Sequence, residues 1–239
     1  WLPGRALKNA LRWQPDLVNL QWTCGGFISG ASLSHLRNIP TIWTLHDMWA
    51  FCGMEHYPDH LRWVDGYTRE NRPADESGLD LNRWAWNRKR KTLVTPMNIV
   101  TPSHWLSDCA CRSSLMRNWP VTTIPYAIDT EVWRPVNPAS ARAALGVSPA
   151  SRLIGFGAVS GGSDPRKGFD LLHAALRGLR GKLPNIELVV FGGGRTVELE
   201  DLGFPIHIMG RLSDDLSLRL VYNALDVMVI PSRHDNLPN

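Results

Sequence analysis

The chain has 239 residues, 44% of them hydrophobic and 20% charged, and a formal net charge of +4. Length and apolar content suffice for one large or two ordinary buried cores, which excludes a disordered or fibrous chain. A charge assembled from 26 basic and 22 acidic residues is too mild and too mixed to point to nucleic acid, and it is compatible with an anionic substrate or an anionic membrane face. No uncharged apolar run approaches the roughly 18 to 20 residues that a membrane-spanning helix needs, so any membrane contact is expected to be peripheral. Four cysteines at 24, 52, 109 and 111, with no charged-apolar-small signal pattern ahead of them, read as reduced thiols of a cytoplasmic protein.

The opening residues carry a helical pattern with no strand before it. Short apolar, β-branched runs then recur between helical segments, at 16–22, 41–45, 98–101 and 121–124, and again at 153–158, 187–191, 206–209 and 226–230. That alternation predicts parallel sheets with crossover helices. Several runs are continuously apolar, as strands buried on both faces should be, and the fold class is α/β. Residues 58–82 are rich in charge, Gly and Pro and are expected to form a long surface excursion. A helix should follow Pro102, with Ser103 as N-cap and Trp105, Leu106, Cys109 and Leu115 among its apolar positions. Trp84, Trp86, Trp105 and Trp119 sit near basic residues; core and groove packing is the ordinary use of such rings, a membrane-interface belt the other.

Residues 127–151, rich in Pro, Ser and Ala, read as a linker with a short helix. The boundary falls near Trp133, giving two Rossmann-like parallel-sheet domains, 1–132 and 133–239. Both are expected to be incomplete, the first lacking its leading strand and the second stopping after its fourth. Helices are predicted over 168–180, where Phe169, Leu172, Ala175, Leu176 and Leu179 share a face, and over 214–225.

Chemistry concentrates in four places. In SDPRKGFDLL, Arg166 and Lys167 stand at the mouth of a predicted helix, and Gly161, Gly162 and Gly168 leave room for backbone amides beside the favourable dipole end, a combination suited to phosphate. Asp235, in the polar turn after the last strand, is an acid that could face this cationic pair across a cleft. FGGG ends a strand with Gly192 and Gly193, which let a ligand approach closely; the run lacks the full dinucleotide-binding spacing. His46 and Asp47 follow the strand 41–45 at the carboxyl-end edge where ligands of open α/β sheets bind. His46 could bond a sugar hydroxyl or shuttle a proton with Asp47 orienting it, whereas the plainer role of this pair is a cap on the next helix. Cys52, His56 and His60 offer zinc-like spacing without a second paired segment, so no metal is expected. NRKRK at 87–91 reads as the wet face of a helix, with anionic lipid headgroups as the functional alternative; no nucleic-acid module is present.

Taken together, TIWTLHDMWAFCG, IVTPSHWL, TIPYAIDTEVWRP, DPRKGFDLL, LVVFGGG, IHIMGRLSDD and VMVIPSRHDNLPN resemble, in order, the motifs of retaining glycosyltransferases of the GT-B fold, in the family 4 group that builds bacterial polysaccharides. The resemblance implies an acceptor-side domain at 1–132 and a nucleotide-sugar domain at 133–239. It implies that Arg166 and Lys167 hold the donor's diphosphate without a metal or other cofactor, and that His46 contacts the transferred sugar. Asp235 matches the first acid of the family's paired-acid motif, with Asn236 beside it. Gly210 and Arg211 match the loop by the nucleotide base, and Tyr222 the aromatic residue of the preceding helix. Partners implied are a nucleotide-diphosphate sugar, a saccharide or lipid-linked acceptor, and peripheral contact with an anionic membrane at its cytoplasmic face. The family's leading strand, its glycine-rich loop and the second acid fall outside this chain, which is therefore expected to be a fragment. The rival readings are a GT-B epimerase or phosphorylase, since fold does not dictate chemistry, and a non-catalytic module that binds anions or membranes.

Overall fold

The structure, a computed structural model, describes residues 5–24, 28, 30–158, 164–193 and 202–237. The chain divides into two compact units, Trp1–Tyr126 with Asn236–Asn239, and Ala127–Asp235.

The first unit is built on parallel strands β1 (Val18–Leu20), β2 (Thr41–Thr44), β3 (Asn98–Thr101) and β4 (Val121–Thr123), in the spatial order β1-β2-β3-β4. Val18 pairs with Thr41, Trp43 with Ile99, and Ile99 with Val121. Accompanying them are the helices α1 (Arg5–Leu11), α2 (Arg62–Asp65), α3 (Leu81–Thr92) and α4 (His104–Arg112). α4 begins where the sequence places it. Extended backbone at Ser103 lets its hydroxyl accept from the Leu106 amide at 3.2 Å, satisfying a donor that the first turn would otherwise leave open. Leu106, Phe51, Met116, Ile99, Leu33 and Leu36 form the innermost layer of the core, each stabilising by about 1.5–3 kcal/mol through removal from water.

The segment 58–82 departs from a plain surface excursion. Its middle is pulled inward by Arg62, Trp63 and Tyr67, all buried. The Arg62 guanidinium donates to Asp80 at 2.6 Å, to the Thr68 carbonyl at 2.9 Å and to Asn71 at 3.1 Å, and it stacks over the Tyr67 ring. Asp80 also caps α3, accepting from the Arg83 amide at 2.8 Å. A buried cation thus organises the loop, because a charge taken out of water persists only when its donors find acceptors.

The second unit carries β5 (Arg152–Ala158), β6 (Ile186–Gly192), β7 (Ile206–Gly210) and β8 (Val227–Met228), all parallel, in the order β7-β6-β5-β8. Helices α5 (Pro138–Ala144), α6 (Phe169–Leu179) and α7 (Asp215–Ala224) accompany them. Successive residues of β6 explain its unbroken apolar run: Leu188 and Val190 pack with Phe156, Phe169, Leu172 and Leu176 on one face, whereas Val189 packs with Leu153, Val221 and Ala224 on the other. Both faces are covered, so alternation disappears from the sequence. The linker closes onto α7, with Val136 N donating to Asn223 at 2.7 Å, Arg219 donating to the Val132 carbonyl at 2.8 Å, and Trp133 set edge-on to Tyr222. These contacts hold Val132, Trp133 and Val136 to the second unit, which begins at Ala127, ahead of the boundary expected near Trp133. Among the described residues no helix is long and apolar enough to cross a membrane.

Candidate functional site

In the second unit, the phosphate-binding candidate and the acidic turn come together at the carboxyl ends of β5 and β8. Asp164 accepts from the Arg166 amide at 3.0 Å and opens a 3-10 turn, Pro165–Lys167. Gly168, at φ +67°, then redirects the chain into α6. A side chain there would place its Cβ 2.0 Å from the Pro231 carbonyl oxygen, so glycine is needed both for the left-handed backbone and for the close approach. Across that contact the segment 231–235 is stitched down. Lys167 Nζ lies 2.6 Å from Asp235 Oδ2, Arg166 Nη1 lies 3.8 Å from Asp235 Oδ1 and donates to the His234 carbonyl at 3.2 Å, and Ser232 Oγ donates to Asp235 at 3.2 Å. Arg233 adds a two-pronged bond to Asp170, at 2.7 and 2.5 Å, which holds the Asp170 carboxyl below its usual range. Asp235 therefore meets the cationic pair directly, not across a cleft.

The backbone contribution differs from expectation. The Arg166 amide is committed to Asp164 Oδ1, and the Lys167 amide to the Asp164 carbonyl at 3.0 Å. An anion here would be met by side chains and the helix dipole, since a 3-10 turn capped by its own aspartate has spent these donors. Gly161 and Gly162 lie outside the described residues. Gly192 ends β6 beside the carboxyl end of β5, at φ +107°, and Gly193 follows it. Gly210 ends β7 at φ +64° with open space around it, and Arg211 follows on the surface. Tyr222 packs edge-on against Phe191 and Trp133, and the desolvation of this setting raises its phenol pKa.

In the first unit, His46 follows β2. Its Nδ1 lies 2.6 Å from the Tyr126 hydroxyl and its Nε2 lies 3.0 Å from Gln21 Oε1, while the Tyr126 ring stacks at 16° to the imidazole. The His46 carbonyl accepts from Tyr57 at 3.3 Å and from the Asn236 amide at 3.2 Å, and Asn236 Oδ1 accepts from Ser103 at 2.5 Å. Asp47 does not orient His46. Its carboxylate turns to the Trp49 amide at 2.9 Å and to His56 at 2.7 Å, the capping role that a short acid at the start of a turn favours. Gln21 lies in none of the sequence motifs, and Tyr126 lies in TIPYAIDTEVWRP without being marked there for a role. The signal the sequence does hold is that each follows the carboxyl end of a strand, β1 or β4, the same edge that marks His46.

The zinc-like trio is dispersed. Cys52 is fully buried, and its thiol pKa is pushed up by desolvation; His56 is held by Asp47, and His60 by Glu55 at 3.1 Å. Glu55, His60 and Glu76 do offer ligand atoms within 4.8 Å of one another, but Glu76 already faces Arg62 and Arg72, at 3.7 and 3.4 Å. Cys24 and Cys109 are buried and Cys111 is exposed, all free. NRKRK at 87–91 is not uniformly wet, because Lys89 is buried while Arg88, Arg90 and Lys91 are exposed; just ahead of it Trp86 is buried and Trp84 exposed.

Among known proteins, residues 1–132 match the family described as Glycosyltransferase Family 4, and residues 152–239 match Glycosyl transferases group 1. The D-inositol 3-phosphate glycosyltransferase of Segniliparus rotundus is 29% identical over 126 residues, and that of Mycolicibacterium gilvum 30% over 128; each match covers 48% of this chain and 27% of the relative. Sucrose-phosphate synthase from Thermosynechococcus elongatus superposes with a TM-score of 0.67 at 18% identity, over 98% of this chain and 55% of that one. Anabaena HepE, solved with UDP and glucose, gives a TM-score of 0.59 at 14% identity, over 97% and 56%. The matched span is about a quarter of these curated relatives, at 27%, and about half of these structures, at 55% and 56%. At such identities the superpositions establish a shared fold of two parallel-sheet units.

Proposed function

The chain belongs to Glycosyltransferase Family 4, and from that premise we propose that it forms part of an enzyme moving a sugar from a nucleotide-diphosphate donor to a saccharide or lipid-linked acceptor with retention at the anomeric carbon. The observation that carries this reading is the pairing of Lys167 and Arg166 with one carboxylate, Asp235, at 2.6 and 3.8 Å. Breaking the bond between the anomeric carbon and the phosphate oxygen leaves an oxocarbenium-like sugar and a diphosphate with added negative charge. Cations already aimed at that charge lower the barrier, and here they take the part that a metal plays elsewhere. Without donor, Asp235 neutralises the pair and keeps it oriented. With donor, the diphosphate takes over the two cations, and Asp235 is released to accept from sugar hydroxyls. The acceptor hydroxyl attacks on the face from which the diphosphate leaves and passes its proton to the departing phosphate oxygen. His46 contacts the sugar, and Gly210 and Arg211 border the base.

The reaction takes place at the cytoplasmic face of a membrane when the acceptor is lipid-linked. The exposed side of α3, with Trp84, Arg88 and Lys91, suits peripheral contact with anionic headgroups.

The test is calorimetry of the complete protein against a panel of nucleoside diphosphates and their sugars, followed by turnover. One nucleotide should bind saturably, and Lys167→Ala should lower turnover by about 100-fold or more, the scale of removing one transition-state charge contact. Normal turnover in that variant, or no binding across the panel, would overturn the assignment.

A further inference from the structure

His46 is held at both ring nitrogens by groups that follow two other strands, and the polarity of that hold can be read from the network. The Gln21 amide nitrogen donates to Asn19 Oδ1 at 3.1 Å and to Thr44 Oγ1 at 3.3 Å. Its oxygen is therefore the atom facing His46 Nε2 at 3.0 Å, and an oxygen without hydrogen requires Nε2 to be the donor. In a neutral ring Nδ1 is then the acceptor, and the Tyr126 hydroxyl at 2.6 Å supplies its proton. The same tyrosine lies nearly parallel to the imidazole, which restricts rotation about the last side-chain bond. Tyr126 itself is kept protonated, because desolvation and the nearby Asp47 charge both raise its phenol pKa.

We propose that Gln21 and Tyr126 are positioning residues that hold His46 as the neutral Nε2–H tautomer in a set ring plane. This rests on the reading that His46 meets the transferred sugar. A tautomer chosen in advance removes a rearrangement from each turnover, since a ring nitrogen's role is set by the bond its partner nitrogen makes. It also means that a sugar hydroxyl reaching Nε2 has to replace the Gln21 oxygen as acceptor, so Gln21 sets both the polarity and the reach of that contact.

The experiment is long-range proton–nitrogen NMR of the complete protein labelled at histidine nitrogens, with the His46 signals assigned by their loss in His46→Gln. Expected in the unaltered protein is a pyrrole-type Nε2 and a pyridine-type Nδ1. Gln21→Met should move population to the Nδ1–H form, because Tyr126 can accept as well as donate. Tyr126→Phe should keep the Nε2–H form, because the Gln21 oxygen still demands a donor, but should shift the Nδ1 resonance as that nitrogen loses its hydrogen bond, and should lower kcat by about tenfold, the worth of one such bond, with donor KM little changed. An unaltered protein that shows the Nδ1–H form or a mixture overturns the proposal, as does a Tyr126→Phe spectrum identical to it. If the tautomer is as expected and His46→Gln retains full turnover, the sugar contact of His46 is what fails, and the hold on its ring stands.

Discussion

Lys89 makes the sharpest energetic test of the first unit. It is 4% exposed, and its ammonium donates to the carbonyls of Trp49, Cys52 (3.0 Å) and Gly53 (2.6 Å) while lying 3.7 Å from the centre of the Trp49 ring. These carbonyls belong to the turn that follows His46 and Asp47, so one side chain ties α3 to the candidate site. Desolvation lowers its pKa from 10.5 to about 8, equivalent to about 3 kcal/mol of cost in keeping the charge at neutral pH. Lys89→Met leaves three buried carbonyls without a donor, about 2 kcal/mol each, or about 6 in all, and returns the 3 kcal/mol of desolvation. A net loss near 3 kcal/mol is expected at about pH 7. The pH dependence carries a second signature. Between about 8 and 10.5 the unfolded chain holds the Lys89 proton and the folded chain does not. Stability attributable to Lys89 therefore rises with pH through that window. Buried thiols act in the opposite sense, Cys24 raised to about 12 and Cys109 to about 11; Lys89 lowers the Cys24 pKa, so its loss only raises that thiol further, and up to about pH 10 both thiols stay protonated in either folded protein and cancel in the difference. Urea denaturation followed by tryptophan fluorescence from about pH 7 to 10 should show the gap between wild type and Lys89→Met widening with pH. A gap under about 1 kcal/mol at neutral pH, or one that narrows with pH, would refute the reasoning.

Two further perturbations separate local strain from function. Gly168→Ala places a methyl carbon 2.0 Å from the Pro231 oxygen on a backbone at φ +67°, so it should push 231–235 away and weaken nucleoside-diphosphate binding by about tenfold or more. Gly181→Ala, with a similar φ of +73° and nothing within 4 Å, should cost about 1 kcal/mol of stability and leave binding unchanged; equal effects in calorimetry would remove the special role of Gly168. Arg62→Met strips Asp80 and Asn71 of a buried partner and should cost about 3–5 kcal/mol. Amide exchange should then accelerate over 66–80 well before it does in β2.

The described strands in their chain order, the parallel class, the Ser103 cap and the helix after Gly168 are all legible in the sequence. Each is a local matter: apolar runs of strand length, a hydroxyl three residues before an amide, and a glycine where φ must be positive. The position of Arg166 and Lys167 at the mouth of α6 can also be read, because a glycine and a helical apolar pattern follow them directly. Tertiary structure alone decided which partner each polar side chain found. Asp47 has equal claim, by adjacency, on His46 and on the turn after it, and the folded loop delivers it to His56. Tyr126, 80 residues from His46, reaches its imidazole only because β2, β3 and β4 lie side by side in one sheet. Lys89 is one of several cations in NRKRK, and only the packing of α3 turns it to the inside. Patterns of burial are written in nearest-neighbour periodicity, whereas hydrogen-bond partners are chosen between atoms that folding brings together, and one sequence records the first far more plainly than the second.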